Sequence, residues 1–209
     1  DDMLTTTFLA SKCKKIVSPA MNTAMCENQI TQDNIAKLKK YEIGVVEPQN
    51  GLLACGDMGA GKMPEPDFLF DVIEREIARE KDMLGKKVLV TAGATMESLD
   101  PVRFLTNHSS GKMGFAIAKE AMLRGAEVTV VKANTTAEIP NFVKIVEVSS
   151  AKDMFDAVTA LSDQQDIIVK AAAVADYTPE SYVNSKIKKK DGDLSIPLKR
   201  TMDILKYLG

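Results

Sequence analysis

Short apolar segments alternate with amphipathic segments between residues 87 and 173, and this alternation constrains the fold more than any other feature of the chain. The strand-like segments are Lys87–Ala92, Glu127–Lys132, 143–148 and 166–173. The helical segments between them are 111–124 and Ala151–Ser162. The last strand is almost entirely apolar, as is usual when both faces of a parallel sheet are covered. This spacing predicts a doubly wound α/β domain.

The chain divides near Met83-Leu84-Gly85, and the part before this point has its own periodicity. We expect strands at 15–18 and 45–47, a helix at 31–40 capped by Thr31, and a helix at 67–81. Residues 51–61 contain four glycines in eleven positions, which predicts a loop. We therefore expect two parallel-sheet, three-layer α/β domains, formed by residues 1–83 and 84–209.

Composition excludes several classes of protein. A net charge of -2 gives no electrostatic footprint for nucleic acid or a membrane surface. Three cysteines without Cys-x-x-Cys spacing and a single histidine argue against a disulfide scaffold and a zinc module, so no protein-built metal site is expected. No apolar run approaches the roughly 20 residues that cross a bilayer, and no signal peptide is present, so we expect a cytoplasmic protein.

Two segments of the second domain follow strands, where ligands of parallel sheets usually bind. The first leads from the strand Lys87–Ala92 to Ser109-Ser110-Gly111-Lys112, whose small residues and lysine at a helix start suit a polyphosphate. It is not a Walker A loop, because Thr106 and Met113 occupy positions where that motif requires glycine and a hydroxyl residue. A capped helix start with a solvated lysine is the alternative.

The second segment is 171–176, where three alanines precede Asp176. Small residues permit close approach of a flat ligand, and the carboxylate would accept hydrogen bonds from it; tight packing of the sheet is the alternative. The basic run 186–190 would neutralise phosphates or form a solvated loop.

The first domain offers a different set of candidates. Asn22 follows a strand, and Cys55 lies in the glycine-rich segment. The cysteine would act as a proton donor or nucleophile, or remain a buried inert thiol. Four methionines either fill the core or line a flat cofactor: Met21, Met25, Met58 and Met63.

Taken together, the motifs resemble the bifunctional bacterial family of coenzyme A biosynthesis, in which phosphopantothenoylcysteine decarboxylase is fused to phosphopantothenate–cysteine ligase. In the first domain the resemblance rests on 18–25 (Ser-Pro-Ala-Met-Asn-Thr-Ala-Met), 51–56 (Gly-Leu-Leu-Ala-Cys-Gly) and 59–63 (Gly-Ala-Gly-Lys-Met). In the second it rests on 100–114 (Asp-Pro-Val-Arg-Phe-Leu-Thr-Asn-His-Ser-Ser-Gly-Lys-Met-Gly), 171–177, 186–189 and 203–205. It covers essentially the whole chain.

For the first domain the resemblance implies a flavodoxin-like fold and FMN-dependent decarboxylation of 4′-phosphopantothenoylcysteine to 4′-phosphopantetheine. It assigns Cys55 as the proton donor to the enethiolate and Asn22 as the residue that holds the substrate's carboxyl end. Ala20, Met21 and Met25 would lie on the FMN and substrate side.

For the second domain it implies a Rossmann-like ligase that uses CTP, Mg²⁺, 4′-phosphopantothenate and cysteine through an acyl-cytidylate. Lys186 would bind the triphosphate and Asn107 would handle the acyl intermediate. The remaining assignments are phosphate contacts by Ser109, Ser110, Gly111 and Lys112, and nucleoside contacts by Lys170, Ala171, Ala172, Asp176, Met202, Asp203, Ile204 and Leu205. Met202 departs from the family, in which a proline precedes the aspartate.

The resemblance also predicts a fragment. The family's catalytic histidine and FMN phosphate loop would precede Asp1, so we expect this segment alone neither to bind FMN well nor to decarboxylate. Further nucleotide-binding residues would follow Gly209, so we expect the ligase site to be incomplete as well. Relatives assemble through both halves, which predicts a homo-oligomer for the full-length protein. Two alternatives remain: an NAD(P)-binding Rossmann oxidoreductase, although Gly-x-Gly-x-x-Gly is missing, and a non-catalytic flavodoxin-type protein.

Overall fold

The computed structural model describes residues 2–188 and 192–209, so Lys189 and Lys190 of the basic run lie outside the described residues. The chain forms two compact units, Asp1–Glu74 and Arg75–Gly209. The division falls within the helix Pro66–Ile77. No helix in the described ranges has both the length and the apolar character needed to cross a membrane.

The first unit contains short elements with little continuous sheet. In chain order these are α1 Met3–Ala10, β1 Ile16–Val17, α2 Thr23–Glu27, α3 Gln29–Lys40, β2 Gly44–Val45, β3 Gln49–Leu52, β4 Met58–Lys62 and α4 Pro66–Ile77. Strands β1 and β2 pair in parallel, and β3 and β4 form an antiparallel hairpin. Among the described residues, parallel pairing here is limited to two short strands, so the predicted three-layer parallel sheet is wrong for this unit.

The prediction of a loop at 51–61 is also wrong, because most of this segment belongs to the β3–β4 hairpin. Its glycines allow close packing against the segment around α2. A Cβ on Gly59 would lie 2.1 Å from Thr23 Oγ1, and one on Gly61 would lie 2.1 Å from the carbonyl oxygen of Met21. Close packing therefore requires glycine at both positions of β4, and Gly61 also needs the backbone freedom of glycine because its φ is 118°.

Helix α3 begins two residues before the predicted cap. The side chain of Asn28 accepts a hydrogen bond from the backbone N–H of Ile30 at 2.9 Å, so Asn28, not Thr31, is the N-cap. Helix α4 ends at Ile77, four residues before its predicted end at Lys81, and β2 begins one residue before the predicted strand at 45–47.

The second unit contains the predicted doubly wound sheet. Its elements are β5 Lys87–Ala92, β6 Met96–Ser98, β7 Phe104–Thr106, α5 Lys112–Leu123, β8 Glu127–Lys132, β9 Lys144–Glu147, α6 Ala151–Ser162, β10 Ile167–Lys170, β11 Tyr177–Pro179, β12 Leu198–Arg200 and α7 Ile204–Leu208. The order β10-β5-β8-β9 is parallel throughout. The prediction of an α/β fold with a parallel sheet is therefore confirmed for this unit.

Helices cover both faces of this sheet. On one face, Phe115 and Ala118 of α5 pack against Val90 and Val130. On the other, Met154 of α6 joins a buried cluster that includes Leu89 and Ile204 of α7. Burying one large apolar side chain, such as Phe115 or Met154, stabilises the folded state by roughly 1.5–3 kcal/mol. The three layers fix the carboxyl ends of β5 and β10 relative to the segments that follow them.

Candidate functional site

The candidate site of the second unit lies where β5 and β10 end, and two threonines shape it. Thr91, fully buried, accepts hydrogen bonds through its hydroxyl from the backbone N–H groups of Ala171 at 3.2 Å and Ala172 at 3.1 Å. Thr95, also fully buried, accepts one from the N–H of Ala175 at 2.9 Å. These side chains replace sheet hydrogen bonds, which explains why β10 ends at Lys170 and not at the predicted residue 173.

A cleft of about 610 Å³ opens beside this segment. Its lining comes from the end of β10 and the segment up to Tyr177 on one side, and from residues 200–205 on the other. Seven of the residues predicted to contact the nucleoside line it: Lys170, Ala172, Asp176, Met202, Asp203, Ile204 and Leu205. Ala171 is absent from this lining, and its backbone N–H is bound to Thr91.

The far wall of the cleft is held by Thr201. Its hydroxyl donates to the carbonyl of Ala175 at 2.7 Å, and its backbone N–H donates to the carbonyl of Asp176 at 3.0 Å. Ile204 is 1% exposed and anchors α7 in the core. Asp203 caps α7 by accepting from the N–H groups of Leu205 and Lys206. Two cationic side chains, Lys170 and Arg200, and two carboxylates, Asp176 and Asp203, therefore border one cleft.

Asn107 follows β7 and reaches the same segment. Its carboxamide nitrogen lies 3.4 Å from the carbonyl oxygens of Ala173 and Val174, to which it donates. Residues 93–107 connect β5 to the segment before α5, and within them β6 and β7 pair as an antiparallel hairpin. The hairpin brings Asn107 to the segment 171–176.

The start of α5 lies beside the end of β5. Gly111 has φ of 77°, and a Cβ there would lie 2.4 Å from Thr135 Oγ1. The hydroxyls of Ser109 and Ser110 accept, at 3.4 and 3.5 Å, from the N–H groups of Gly111 and Lys112. These long contacts involve N–H groups that the predicted phosphate cradle would use. In the described structure the segment 109–112 does not line the 610 Å³ cleft.

Lys186 is exposed and likewise lies outside the lining of that cleft in the described part of the chain. Its neighbour Ile187 is bound to the tip of the β6–β7 hairpin: its N–H donates to Asp100 Oδ2 at 3.1 Å, and its carbonyl accepts from Arg103 Nη2 at 2.7 Å. The structure thus connects Lys186 to the hairpin that ends at Asn107.

Asp100 was not singled out from the sequence. Its side chain is fully buried and also accepts from the N–H of Val102 and from Arg103. Burial alone would raise the pKa of Asp100, but hydrogen bonds from the N–H groups of Ile187 and Val102 and from Arg103 lower that pKa well below its ordinary value. The sequence Asp100-Pro-Val-Arg103 was the available signal, because a proline between an aspartate and an arginine three residues later favours a turn that brings the two charges together.

The first unit has a separate cavity of about 410 Å³. Four predicted residues line it: Ala20, Met21, Asn22 and Cys55. Met25 does not line it and is 57% exposed. The wall includes Leu53 and Met63, so it combines an apolar surface with one thiol.

Two of the lining side chains have partners of their own. The Asn22 oxygen caps α2 by accepting from the N–H of Met25 at 2.8 Å, a bond that leaves the amide nitrogen uninvolved. Cys55 is exposed and its sulfur lies 3.5 Å from Asp57 Oδ2, so the expectation of a buried thiol is wrong, while its role as a proton donor stays a prediction. Within residues 2–188 and 192–209, no group of three or more His, Cys, Asp or Glu side chains could hold a metal ion.

A parallel sheet between two layers of helices, with a polar cleft at the carboxyl ends of its strands, is typical of a ligand-binding α/β protein. Residues 83–209 match the sequence model of the DNA/pantothenate metabolism flavoprotein C-terminal domain family, and residues 1–78 match the flavoprotein family. The chain belongs to the DNA/pantothenate metabolism flavoprotein C-terminal domain family, whose match spans more than half of it.

Relatives and solved structures agree with this assignment. The coenzyme A biosynthesis bifunctional protein CoaBC of Bacillus subtilis (strain 168) is 43% identical over 212 residues, covering 100% of this chain and 52% of the relative. CoaBC of Mycobacterium tuberculosis (strain H37Rv) is 43% identical over 211 residues, covering 98% and 50%. A crystal structure of the C-terminal domain of a CoaBC superposes with a TM-score of 0.53 at 49% identity, covering 60% of this chain and 59% of that one. The chain spans about half the length of the curated relatives it matches.

Proposed function

We propose that this chain takes part in cytoplasmic coenzyme A biosynthesis. Residues 84–209 would contribute to joining cysteine to 4′-phosphopantothenate with CTP, and residues 1–83 to the flavin-dependent decarboxylation of the product. The family membership and the names of the relatives support the pathway. The observation on which the ligase assignment depends is the 610 Å³ cleft, because seven residues assigned to the nucleoside line it together.

In the proposed ligation, the carboxylate of 4′-phosphopantothenate attacks the α-phosphate of CTP and pyrophosphate leaves. The amine of cysteine then displaces CMP from the acyl-cytidylate. Activation is needed because a free carboxylate is a poor electrophile. Lys186 would offset the negative charge that grows on the departing pyrophosphate.

The other residues of the second unit would bind and orient the substrates. Asp176 would accept hydrogen bonds from the nucleoside, and Ala172 would allow the base to approach the backbone. Residues 202–205 would close the opposite wall, and 109–112 would contact phosphates at the start of α5. Asn107 would hold the acyl intermediate near the carbonyls of Ala173 and Val174.

Mg²⁺ would bind mainly through triphosphate oxygens and water, as it commonly does in nucleotide sites. The absence of a metal-ligand cluster among the described residues is compatible with that arrangement.

In the first unit, the lining of the 410 Å³ cavity suits a flat apolar ring, because Met21 and Leu53 face the same space as the Cys55 segment. Bound FMN would supply a reversible two-electron oxidation of the substrate's thiol group, so that the oxidised group accepts the electrons released on decarboxylation and the reduced flavin returns a hydride to give the saturated product. Ala20, Met21 and Met25 would lie on its side of the substrate. Cys55 would donate a proton to the enethiolate, and the Asn22 amide nitrogen would hold the substrate's carboxyl end.

An NAD(P)-binding oxidoreductase is not favoured. The segment after β5 forms the β6–β7 hairpin, whereas a Rossmann dinucleotide site has a tight glycine turn into the first helix there. Assembly into a homo-oligomer and the division of labour at residue 83 are part of the proposal, by analogy with the family.

Nucleotide titration of this chain tests the proposal. We expect saturable binding of CTP, weakened at least roughly tenfold by Asp176→Ala, the loss expected when a hydrogen bond to a charged group is removed. Asp163→Ala, which changes an exposed aspartate at the end of α6, is the control. Tight NADH binding without CTP binding would overturn the assignment. An affinity for CTP that Asp176→Ala leaves unchanged would overturn it as well.

A further inference from the structure

The tip of the β6–β7 hairpin contains a buried carboxylate that binds two separate segments of the chain. Asp100 Oδ1 accepts from the N–H groups of Val102 and Arg103, both at 2.8 Å. Asp100 Oδ2 accepts from Arg103 Nε at 3.0 Å, from Arg103 Nη2 at 2.7 Å and from the N–H of Ile187 at 3.1 Å. The first set closes the hairpin, and the last bond reaches a residue 87 positions away.

Ile187 is bound on both sides of its backbone. Asp100 accepts from its N–H, and Arg103 donates to its carbonyl. Four residues earlier, the N–H of Val183 donates to the carbonyl of Leu99 at 3.1 Å. Residues 181–188 otherwise have no helix or strand, so these bonds to 99–103 fix the backbone before and after Lys186.

A buried carboxylate is costly unless its oxygens are fully paired, so this cluster is strongly specified. The same hairpin continues through β7 to Asn107, which binds the carbonyls of Ala173 and Val174. One hydrogen-bonded unit therefore joins the segment containing Lys186 to the edge of the sheet where the cleft opens.

We propose that Asp100 is a positioning residue, which together with Arg103 holds the backbone of Ile187 and thereby sets where Lys186 meets the triphosphate. This inference rests on the proposed function of Lys186. It assigns Asp100 no contact with substrate. The guanidinium orients the carbonyl of Ile187, and the carboxylate orients both the guanidinium and the N–H of Ile187.

Amide exchange and nucleotide binding test the inference in the intact chain. In Asp100→Asn, the amide of Ile187 should exchange roughly tenfold faster, the change expected for losing one charged hydrogen bond, while the amides of β5 stay protected. Affinity for CTP should fall in Asp100→Asn and in Lys186→Ala. The double variant should bind no more weakly than Lys186→Ala alone, because one residue acts through the other.

Two further variants complete the test. Asp82→Asn is the control variant: the Asp82 carboxylate, like that of Asp100, accepts two hydrogen bonds from one arginine side chain, here Arg124. It should leave CTP affinity unchanged. Ile187→Pro removes one bond to Asp100 but keeps the Asp100–Arg103 pair; it should reproduce the loss in affinity even if Asp100→Asn folds poorly.

Unchanged protection of Ile187 in Asp100→Asn would overturn the inference, as would fully additive losses in the double variant. The exchange measurement uses no nucleotide, so it decides whether Asp100 holds this backbone even in a chain that fails to bind CTP. Such a failure would contradict the proposed function separately.

Discussion

The carboxamide nitrogen of Asn107 lies 3.4 Å from the carbonyl oxygen of Ala173, a residue 66 positions further along the chain. This contact joins the segment after β7 to the segment after β10, and both lie at the carboxyl edge of the parallel sheet. The hydroxyls of Thr91 and Thr95 hold the segment after β10 by accepting hydrogen bonds from three of its backbone N–H groups. The edge of the sheet is therefore shaped by side chains that bond to backbone, and the cleft beside it follows from that arrangement.

Replacing Thr91 by valine should destabilise the second unit by about 1–3 kcal/mol, because the partly buried N–H groups of Ala171 and Ala172 lose their acceptor. The free energy of unfolding from urea titration measures this loss. Thr159→Val is the matched control, since the Thr159 hydroxyl donates to carbonyls of α6 itself, those of Phe155 and Asp156. It should change stability by less than about 0.5 kcal/mol. Equal effects of the two substitutions would contradict the role assigned to Thr91.

Gly111→Ala should destabilise the chain more than Gly85→Ala. Both glycines have positive φ, 77° and 75°, so alanine costs roughly 1–2 kcal/mol at each. Only at Gly111 would the new Cβ also meet a neighbour, Thr135 Oγ1 at 2.4 Å, which adds about 1–3 kcal/mol of overpacking. Thermal unfolding of both variants measures the difference, and equal shifts in Tm would show that the contact with Thr135 relaxes freely.

Cys55→Ser should separate the two stages of decarboxylation. In a preparation that consumes 4′-phosphopantothenoylcysteine, release of carbon dioxide should continue while the yield of 4′-phosphopantetheine falls, because serine is a much weaker acid than the thiol. Mass spectrometry of the product measures this. Cys13→Ser changes the other exposed thiol and should have no effect. A normal yield from Cys55→Ser would assign the proton to another group.

The contribution of Asp100 to stability should be independent of pH above about pH 5. Its pKa is lower in the folded chain than in the unfolded chain, where it is near 3.9. Stability from this carboxylate is therefore fully present above the unfolded value and is lost as pH falls towards the folded value. The difference in unfolding free energy between the chain and Asp100→Asn should be constant from pH 7 to about pH 5 and shrink below it. A difference that shrinks between pH 7 and pH 5 would contradict this.

Residues whose environment is set by periodic burial could be predicted from the sequence. Strands β5 and β8 begin and end where the apolar pattern indicates, and α6 matches its prediction at both ends because Ser150 and Asp153 form a capping box. The pattern contains no information on the order β10-β5-β8-β9, which depends on packing between distant segments.

Features that depend on contacts between distant residues were missed. The glycines of β4 indicated a loop because nothing in the sequence shows that Thr23 and Met21 pack against them. Asp100 was overlooked for the same reason, since its partner Ile187 lies 87 residues away. Of the residues that line the cleft, Ala172 and Asp176 were indicated by their position after a strand, whereas Lys170 and residues 202–205 were indicated by the family resemblance alone.

Chemical-shift mapping of the ¹⁵N-labelled chain with CTP tests the central claim most directly, namely that the cleft between residues 170–177 and 200–205 holds the nucleoside. We expect the backbone amides of Ala172, Asp176 and Leu205 to shift in a saturable manner, and those of β9 at the far edge of the sheet to remain unchanged. Shifts confined to residues outside the cleft, or no shifts at saturating CTP, would contradict the account.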